Sequence, residues 1–140
     1  LRKAVRLDDE NPEIWYMLGK AHYAKNEKKD TLRCFREALK LDAYYNEVWV
    51  DLGRMILYDG YVHKALANLE KAYKIIGEVP GINYLLASFY MHGGLMDKAH
   101  RHLLLALDVD KELFRDFHDI FPTNIFNRKI KKLLENYNLR

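Results

Sequence analysis

The sequence has little of the chemistry that stabilises small or β-rich proteins. Its 140 residues include one cysteine, Cys34, only 7 glycines and only 3 prolines. A single cysteine excludes an intramolecular disulfide and leaves the redox compartment unconstrained. So few breakers disfavour a many-stranded β fold, and the absence of an apolar run of about 18 residues predicts no membrane span. With 49% hydrophobic residues the chain can still bury a core, so the composition indicates one α-helical domain.

A large excess of one charge is also absent. The chain has 23 Lys and Arg against 20 Asp and Glu, for a net charge of +3. The two signs are interspersed, as on solvated helix faces, so nucleic acid is not an expected partner. One local excess of positive charge lies near the C-terminus, at Arg128, Lys129, Lys131 and Lys132.

What the sequence does have is a period of 34 residues. Ala4, Ala38, Ala72 and Ala106 form one column, and no insertion interrupts the register. Further columns hold Trp15 and Trp49; Leu18, Leu52 and Leu86; Gly19, Gly53 and Ala87; Asn26, Gly60 and Gly94; Thr31, Ala65 and Ala99; and Phe35, Leu69 and Leu103. This regularity predicts an array of equal structural units.

Each unit is predicted to form two amphipathic helices, because apolar residues recur at helical spacing in two separate segments. Asn26, Gly60 and Gly94 lie between these segments, where a helix is expected to end in left-handed backbone. The small residues Gly19, Gly53 and Ala87 are expected to face Thr31, Ala65 and Ala99, which lets paired helices approach closely. The predicted pairs are 12–25 with 28–41, 46–59 with 62–75, and 80–92 with 96–108, after a remnant at 1–8.

These columns resemble the tetratricopeptide repeat, whose unit carries a Trp, a Leu-Gly pair, a Tyr, then Ala, Phe, Ala and a closing Pro. The matching residues are Trp15, Leu18-Gly19, Phe35 and Ala38; Trp49, Leu52-Gly53, Ala65 and Ala72; and Leu86, Tyr90, Ala99 and Ala106. The sequence departs from the pattern at Asn83 in the Trp column, and at Ala43 and Gly77 in the Pro column. The resemblance covers residues 1–110.

The resemblance implies an all-α fold, an α-α superhelix or solenoid of three full helix-turn-helix repeats in a single domain, 1–140. The repeats are expected at 12–45, 46–79 and, in degenerate form, 80–110, after the end of a preceding repeat at 1–11. Residues 111–140 are expected to cap the array, with a short helix ended by Pro122 and a last helix over 125–137 capped by Thr123 and Asn124. This closing segment resembles those of some bacterial repeat proteins, which suggests a C-terminal fragment of such a protein.

In this family the first helix of each pair lines a concave surface that binds a protein or peptide. The positions carried over to this face are Glu13, Tyr16, Lys20, Tyr23, Glu47, Val50, Arg54, Leu57, Tyr58, Tyr84, Ser88, Met91 and His92. Tyrosine recurs among them, and Lys20 and Arg54 share a column, so a peptide with apolar anchors and acidic groups is the expected ligand. The alternative is that these residues only pack or face solvent.

No catalytic or metal-binding pattern is found, so we expect no enzyme activity, no cofactor, no metal and no small-molecule substrate. Ser88 and His92 lie one turn apart but lack an orienting acid or an oxyanion hole. His100 and His102 have a spacing that points them to different sides of a helix. Structural or solvated roles are expected for these histidines.

Two other functions remain open. The basic cluster at 128–132 could bind nucleic acid or an anionic surface, and the chain could be a non-catalytic segment of a larger enzyme or transport component. Self-association is also expected, through apolar surface at the remnant 1–8 that lacks its partner helix. A cytoplasmic location is favoured.

Overall fold

The structure, a computed structural model, describes residues 9–123 and 127–139. These residues form helices and turns and no β-strand, which confirms the predicted all-α fold class. The helices are α1 (Pro12–Ala24), α2 (Lys28–Leu41), α3 (Asn46–Asp59), α4 (Val62–Ile76), α5 (Pro80–His92), α6 (Met96–Asp110), α7 (Phe114–Phe117), a 3₁₀ turn (His118–Ile120) and α8 (Arg128–Asn136). In the described part of the chain, no helix is long and apolar enough to cross a membrane. The remnant at 1–8 lies outside the described residues.

The ends of the paired helices follow the predicted bounds within one or two residues, because local signals determine them. Pro12 and Pro80 each lie in the first turn of a helix, where a missing N–H costs nothing. The Asn11 side chain accepts a hydrogen bond from the Glu13 N–H, 2.9 Å away, and so caps α1.

The turn inside each helix pair has left-handed backbone, as predicted from the Asn and Gly residues that lie between the two helices. The φ angles are 62° at Asn26, 74° at Gly60 and 77° at Gly94. Asparagine and glycine tolerate this region best, because most side chains clash there with the backbone. In the pairs α1–α2 and α5–α6, the second helix packs back against the first after this turn.

The chain folds into two compact units, one ending at Leu52 and the other beginning at Gly53. In the first unit α1 packs against α2, and the core between these two helices contains Leu18, Cys34, Phe35, Ala38 and Leu39. The Thr31 hydroxyl donates to the Glu27 carbonyl oxygen, 2.9 Å away, which satisfies a polar group that is fully buried.

In the second unit α5 is the central element, since every residue from Pro80 to Met91 is buried. It packs against α4, α6 and α7. Two polar side chains inside this core satisfy each other: His102 Nδ1 donates to the Asn83 side-chain oxygen, 2.8 Å away, and the Asn83 amide donates to Glu78. A helix buried on all sides in this way positions the residues that surround it.

Two of the small residues make close contacts with larger side chains. A Cβ built on Gly19 would lie 2.7 Å from the Phe35 ring and 3.2 Å from the Cβ of Cys34. A Cβ on Gly53 would lie 2.4 Å from Leu85 and 2.9 Å from Ile120. These side chains occupy the space that each missing Cβ leaves, and the facing of Gly19 with Thr31 and of Gly53 with Ala65 stays a prediction.

The C-terminal segment departs from the predicted helices. The short helix forms as the four-residue α7 and continues as a 3₁₀ turn to Ile120. The last helix begins at Arg128, not at 125, because Asn127 is extended and its side chain accepts a hydrogen bond from the Ile130 N–H at 3.1 Å. Asn127, rather than Thr123 or Asn124, is the N-cap of α8. Residues 124–126 lie outside the described part.

Candidate functional site

In the first unit, the positions predicted to line the concave surface, called the inner positions from here on, form a polar and aromatic surface. Glu13, Lys20, Tyr23 and Glu47 are exposed, Tyr16 is half-buried and Val50 is buried. All six come from α1 and α3, the first helices of their pairs. Exposure makes four of the six available to a partner, and the binding role stays a prediction.

Tyr16 contacts Lys20 of this surface and two residues beside it, Asp51 and Tyr45. The Lys20 ammonium lies 4.8 Å from the centroid of the Tyr16 ring, within range of a cation–π interaction. The Tyr16 hydroxyl donates to the Asp51 carboxylate, and the ring meets that of Tyr45 edge-on at 5.1 Å. Tyr16 is therefore held in one orientation, and its ring supports the cation of Lys20.

The environment of Tyr16 keeps its hydroxyl protonated. Burial raises the pKa of Tyr16, and the hydrogen bond to the negative charge of Asp51 raises it further. A protonated phenol donates a hydrogen bond to the carboxylate and does not act as a base near neutral pH. The arrangement suits recognition rather than proton transfer.

In the second unit the inner positions of α5 are covered by the chain itself. Tyr84 and Ser88 are fully buried and Met91 is 3% exposed. The Tyr84 ring stacks on Phe117 with centroids 5.2 Å apart, and its hydroxyl donates to the Asp110 carbonyl oxygen at 2.6 Å. Burial raises the pKa of Tyr84. These positions are not accessible while the segment after α6 lies on them.

Arg54 is bound by the same segment. Its Nε lies 2.8 Å from one carboxylate oxygen of Asp119 and its Nη2 lies 3.3 Å from the other. Nη2 also donates to the Asp116 carbonyl oxygen at 3.2 Å. An acidic group does lie at Arg54, as expected of a ligand, and the chain itself supplies it.

The remaining inner positions of the second unit lie near the ends of α3 and α5. Tyr58 is exposed over 73% of its surface, Leu57 is half-buried and His92 is exposed. His92 Nε2 donates to the Ile120 carbonyl oxygen, 2.9 Å away. Thus only Tyr58 and part of His92 are open to solvent here.

Ser88 and His92 do not form a catalytic pair. The Ser88 hydroxyl donates to the Ile120 carbonyl oxygen at 2.6 Å, and His92 donates to the same oxygen. The serine proton is directed at a main-chain carbonyl and away from the imidazole. A nucleophile needs a base that accepts its proton, and this geometry does not provide one.

One group of potential metal ligands is present in the described residues, at the turn between α1 and α2. Atoms of His22, Glu27 and Asp30 lie within 4.8 Å of one another, and His22 Nδ1 lies 3.1 Å from Glu27. Nε2 of the same ring is buried and has no hydrogen-bond partner, whichever ring nitrogen carries the proton. Nδ1 of His22 is within hydrogen-bond distance of the Glu27 carboxylate.

The basic cluster lies on the outer side of α8. Arg128, Lys129, Lys131 and Lys132 are exposed, while Ile130, Leu133 and Leu134 of the same helix are buried. Lys129 Nζ lies 3.7 Å from Asp97, so part of the cluster faces an acidic neighbour. This is an amphipathic helix with a solvated basic face, and binding of nucleic acid or an anionic surface stays a prediction.

Sequence reasoning did not identify the partners of the inner face. Asp119 is 65 residues from Arg54, and no local pattern connects a residue of α3 with one after α6. Asp51, which fixes Tyr16 from 35 residues away, was missed for the same reason. Only the column shared by Lys20 and Arg54 pointed to charge at this position.

Comparison with known proteins agrees with the helix-pair geometry. Residues 12–45 match the family model described as Tetratricopeptide repeat. A curated relative, the peroxisomal targeting signal receptor of Candida glabrata, is 29% identical over 104 residues, which is 74% of this chain. The chain spans 18% of the length of that relative.

These similarities support a role in protein–protein interaction and a module without catalysis. A bacterial origin and the status of a C-terminal fragment stay predictions. The match covers α1, α2, the turn that joins them and residues 42–45. Residues 12–45 are therefore similar to a tetratricopeptide repeat, within a chain whose described residues are helical wherever they have regular structure.

Proposed function

We propose that this chain is a non-catalytic interaction module whose first unit binds a peptide or protein segment. The surface that would bind it is the inner face of α1 and the start of α3, with Glu13, Tyr16, Lys20, Tyr23 and Glu47. A cation, a carboxylate pair and two tyrosines give such a surface both charge and apolar contact area. Tyrosine is favoured at interfaces because a large ring carries a polar tip.

The observation that carries the proposal is the bond between Arg54 and Asp119. Arg54 stands 34 residues after Lys20, in the same column of the repeat, and it holds a carboxylate through two N–H groups. A cation at this position of a first helix can therefore bind an acidic side chain laid across it. Lys20 is exposed and would do the same for a partner's Asp or Glu.

The surroundings of Lys20 favour an acidic residue next to an apolar one. The Tyr16 ring lies under the ammonium, and Tyr23, 45% exposed, lies about one turn further along α1. The Tyr16 ring is already held by Asp51 and Tyr45, so it loses little conformational freedom on binding, which leaves more of the contact energy for affinity. The expected ligand is a short segment with one carboxylate beside aromatic or aliphatic side chains.

The relative supports recognition of a short segment, since its name describes a receptor for a targeting signal. The chain spans 18% of that protein, so a targeting signal as the ligand of this chain is part of the proposal. The partners of the whole protein are proposals for the same reason.

Peptide selection followed by charge reversal tests the function. A random peptide library selected on the chain should enrich Asp or Glu beside apolar residues. For an enriched peptide, Lys20→Glu should weaken binding about tenfold or more, because a favourable charge pair becomes a repulsive one. The matched control is Lys29→Glu, which makes the same charge change at an exposed position on α2.

Equal affinity of the two charge variants and the wild type would remove Lys20 from the site. Failure to enrich any peptide family would contradict peptide binding itself. Circular dichroism of each variant confirms that the helices are intact before affinities are compared.

A further inference from the structure

The second unit contains a place where four side-chain positions converge on one short stretch of backbone. Gly53 and Arg54 from α3 and Ser88 and His92 from α5 all meet residues 119–120. We call these four residues the Arg54 site. They are first-helix residues of successive pairs, so they belong to the face on which the repeat was expected to bind a ligand.

The Arg54 site recognises three different features of the stretch it holds. Arg54 binds the carboxylate of Asp119. Ser88 and His92 both donate to the main-chain oxygen of Ile120, at 2.6 and 2.9 Å. The Ile120 side chain is fully buried. Its Cδ1 atom packs against Gly53, because a Cβ built on Gly53 would lie only 2.9 Å from it.

Contacts of this kind are those by which a protein holds a peptide. Hydrogen bonds to a main-chain carbonyl fix the register of the backbone, while a charge and an apolar pocket select two adjacent side chains. Ile120 ends the 3₁₀ turn, so its carbonyl oxygen has no partner within the turn and takes its hydrogen bonds from Ser88 and His92. The stretch also leaves helical geometry here, because Phe121 is extended at φ −78° and ψ 149°.

We propose that residues 118–121 are an internal ligand, and that the Arg54 site binds acidic–aliphatic peptide segments of a partner protein once this ligand is displaced. This goes beyond the proposed function, which concerns Lys20 and the first unit. The partner segment has Asp or Glu followed directly by Ile, Leu or Val, as in Asp119-Ile120.

Displacement is feasible at the charged end of the stretch and is opposed by tethering. The Arg54–Asp119 pair is about half exposed, at 39% and 48%, and exposed pairs contribute little stability. The internal ligand is covalently attached, however, so its effective concentration is about millimolar. A free segment displaces the internal ligand only if it binds more tightly or is present above about millimolar concentration. Weak ligands at low concentration therefore do not open the site.

The test uses a fluorescein-labelled peptide that copies residues 117–123, with binding followed by fluorescence anisotropy. Asp119→Ala removes the internal carboxylate that competes with the peptide for Arg54, so this variant should bind about fivefold more tightly than the wild type. The double variant Arg54→Ala, Asp119→Ala should lose the gain. The matched control is Asp116→Ala, since Asp116 contacts Arg54 through its main-chain oxygen, which the substitution keeps.

Two results would overturn the proposal. One is a folded Asp119→Ala variant that binds no more tightly than the wild type. The other is a gain that survives in the double variant or with a peptide in which Ala replaces the Asp. Lys20→Glu should leave all these affinities unchanged, so failure here and failure of the proposed function are distinguishable.

A second measurement needs no variant and covers the case in which Asp119→Ala does not fold. Amide hydrogen exchange of the wild-type chain is followed with and without the unlabelled peptide at about 5 mM, several times the effective concentration of the internal ligand. Displacement should speed exchange at residues 118–121 and leave α1 and α2 unchanged. Exchange at 118–121 that the peptide does not alter contradicts an exchangeable internal ligand.

Discussion

Trp49 donates its indole N–H to the carbonyl oxygen of Ala43, six residues earlier, at 2.7 Å. Trp15 makes the same bond at the same distance to Asp9, also six residues earlier. Each indole thus ties the chain that precedes a first helix to that helix. The two sites differ in burial, since Trp49 is 2% exposed and Trp15 is half-buried.

Substitution of the two tryptophans should therefore have unequal effects. Trp49→Ala removes a buried ring and should lower the free energy of unfolding by about 3–5 kcal/mol. Trp15→Ala should cost clearly less, because part of that ring already faces water. Urea denaturation followed by circular dichroism measures both.

Trp49→Phe separates the ring from its hydrogen bond, because it keeps an aromatic side chain and removes the indole N–H. Its cost should lie between those of the wild type and Trp49→Ala. Equal losses for Trp15→Ala and Trp49→Ala would contradict the difference in burial.

His102 makes the stability of the second unit depend on pH. Its ring stacks on Tyr90 at 5.6 Å and meets Tyr73 edge-on at 5.1 Å. Burial lowers the pKa of His102 below 6.5, and the positive charge of Arg101 lowers it further. The carboxylates of Glu78 and Glu70 oppose this shift, and Lys98 adds to it.

Between the lowered pKa and 6.5 the unfolded chain binds more protons than the folded one. The contribution of His102 to the free energy of unfolding is thus fully present above pH 6.5 and is lost as the pH falls through the folded value. Denaturation at a series of pH values should show this loss in the wild type. It should be smaller in His102→Gln, which cannot titrate.

His100→Gln is the matched control, since it removes a histidine two residues away that is only half-buried. Its pH dependence should follow that of the wild type. Identical curves for His102→Gln and the wild type would show that His102 does not cause the loss.

The space at Gly53 predicts a specific cost for a methyl group. Gly53→Ala would place its Cβ 2.4 Å from Leu85 and 2.9 Å from Ile120, so both side chains must move. Overpacking of this kind costs about 1–3 kcal/mol, and the better helix propensity of alanine inside α3 offsets about 1 kcal/mol of it. Gly93→Ala is the control, because its Cβ would meet only carbonyl oxygens at 3.6 Å.

Thermal denaturation of the two alanine variants decides the point. Gly53→Ala should melt several degrees lower than the wild type, by roughly 2–8 °C for a chain of this size. Gly93→Ala should stay close to the wild type. The reverse order would contradict the packing of Ile120 against α3.

The helix pairs could be predicted from the sequence because their signals are local. Pro12 and Pro80 mark helix starts, and left-handed Asn26, Gly60 and Gly94 mark the turns. The helical spacing of the apolar residues indicates the buried side of each helix. Each of these features depends on residues within one or two helical turns, and no knowledge of the tertiary structure is required.

The covering of α5 could not be predicted, because it depends on contacts across the chain. Tyr84 and Ser88 occupy positions that face a ligand in the repeat pattern, yet Phe117 and Ile120, which follow α6, contact them. The bond between Arg54 and Asp119 spans 65 residues. A periodic pattern identifies a face of a helix but not the segment that lies on it.

The start of α8 was misplaced for a different reason. Thr123, Asn124 and Asn127 are all residues that can cap a helix, and the sequence does not rank them. The structure selects Asn127, whose side chain reaches the Ile130 N–H.

Amide chemical-shift mapping tests the central claim, that the inner face of the first unit binds a partner segment. An enriched peptide is titrated into isotopically labelled chain. The amides of Glu13, Tyr16, Lys20, Tyr23 and Glu47 should shift most, and Lys20→Glu should require about tenfold more peptide, or more, for the same shifts. Shifts confined to the exposed side of α2, at Arg33, Arg36 and Lys40, would contradict it.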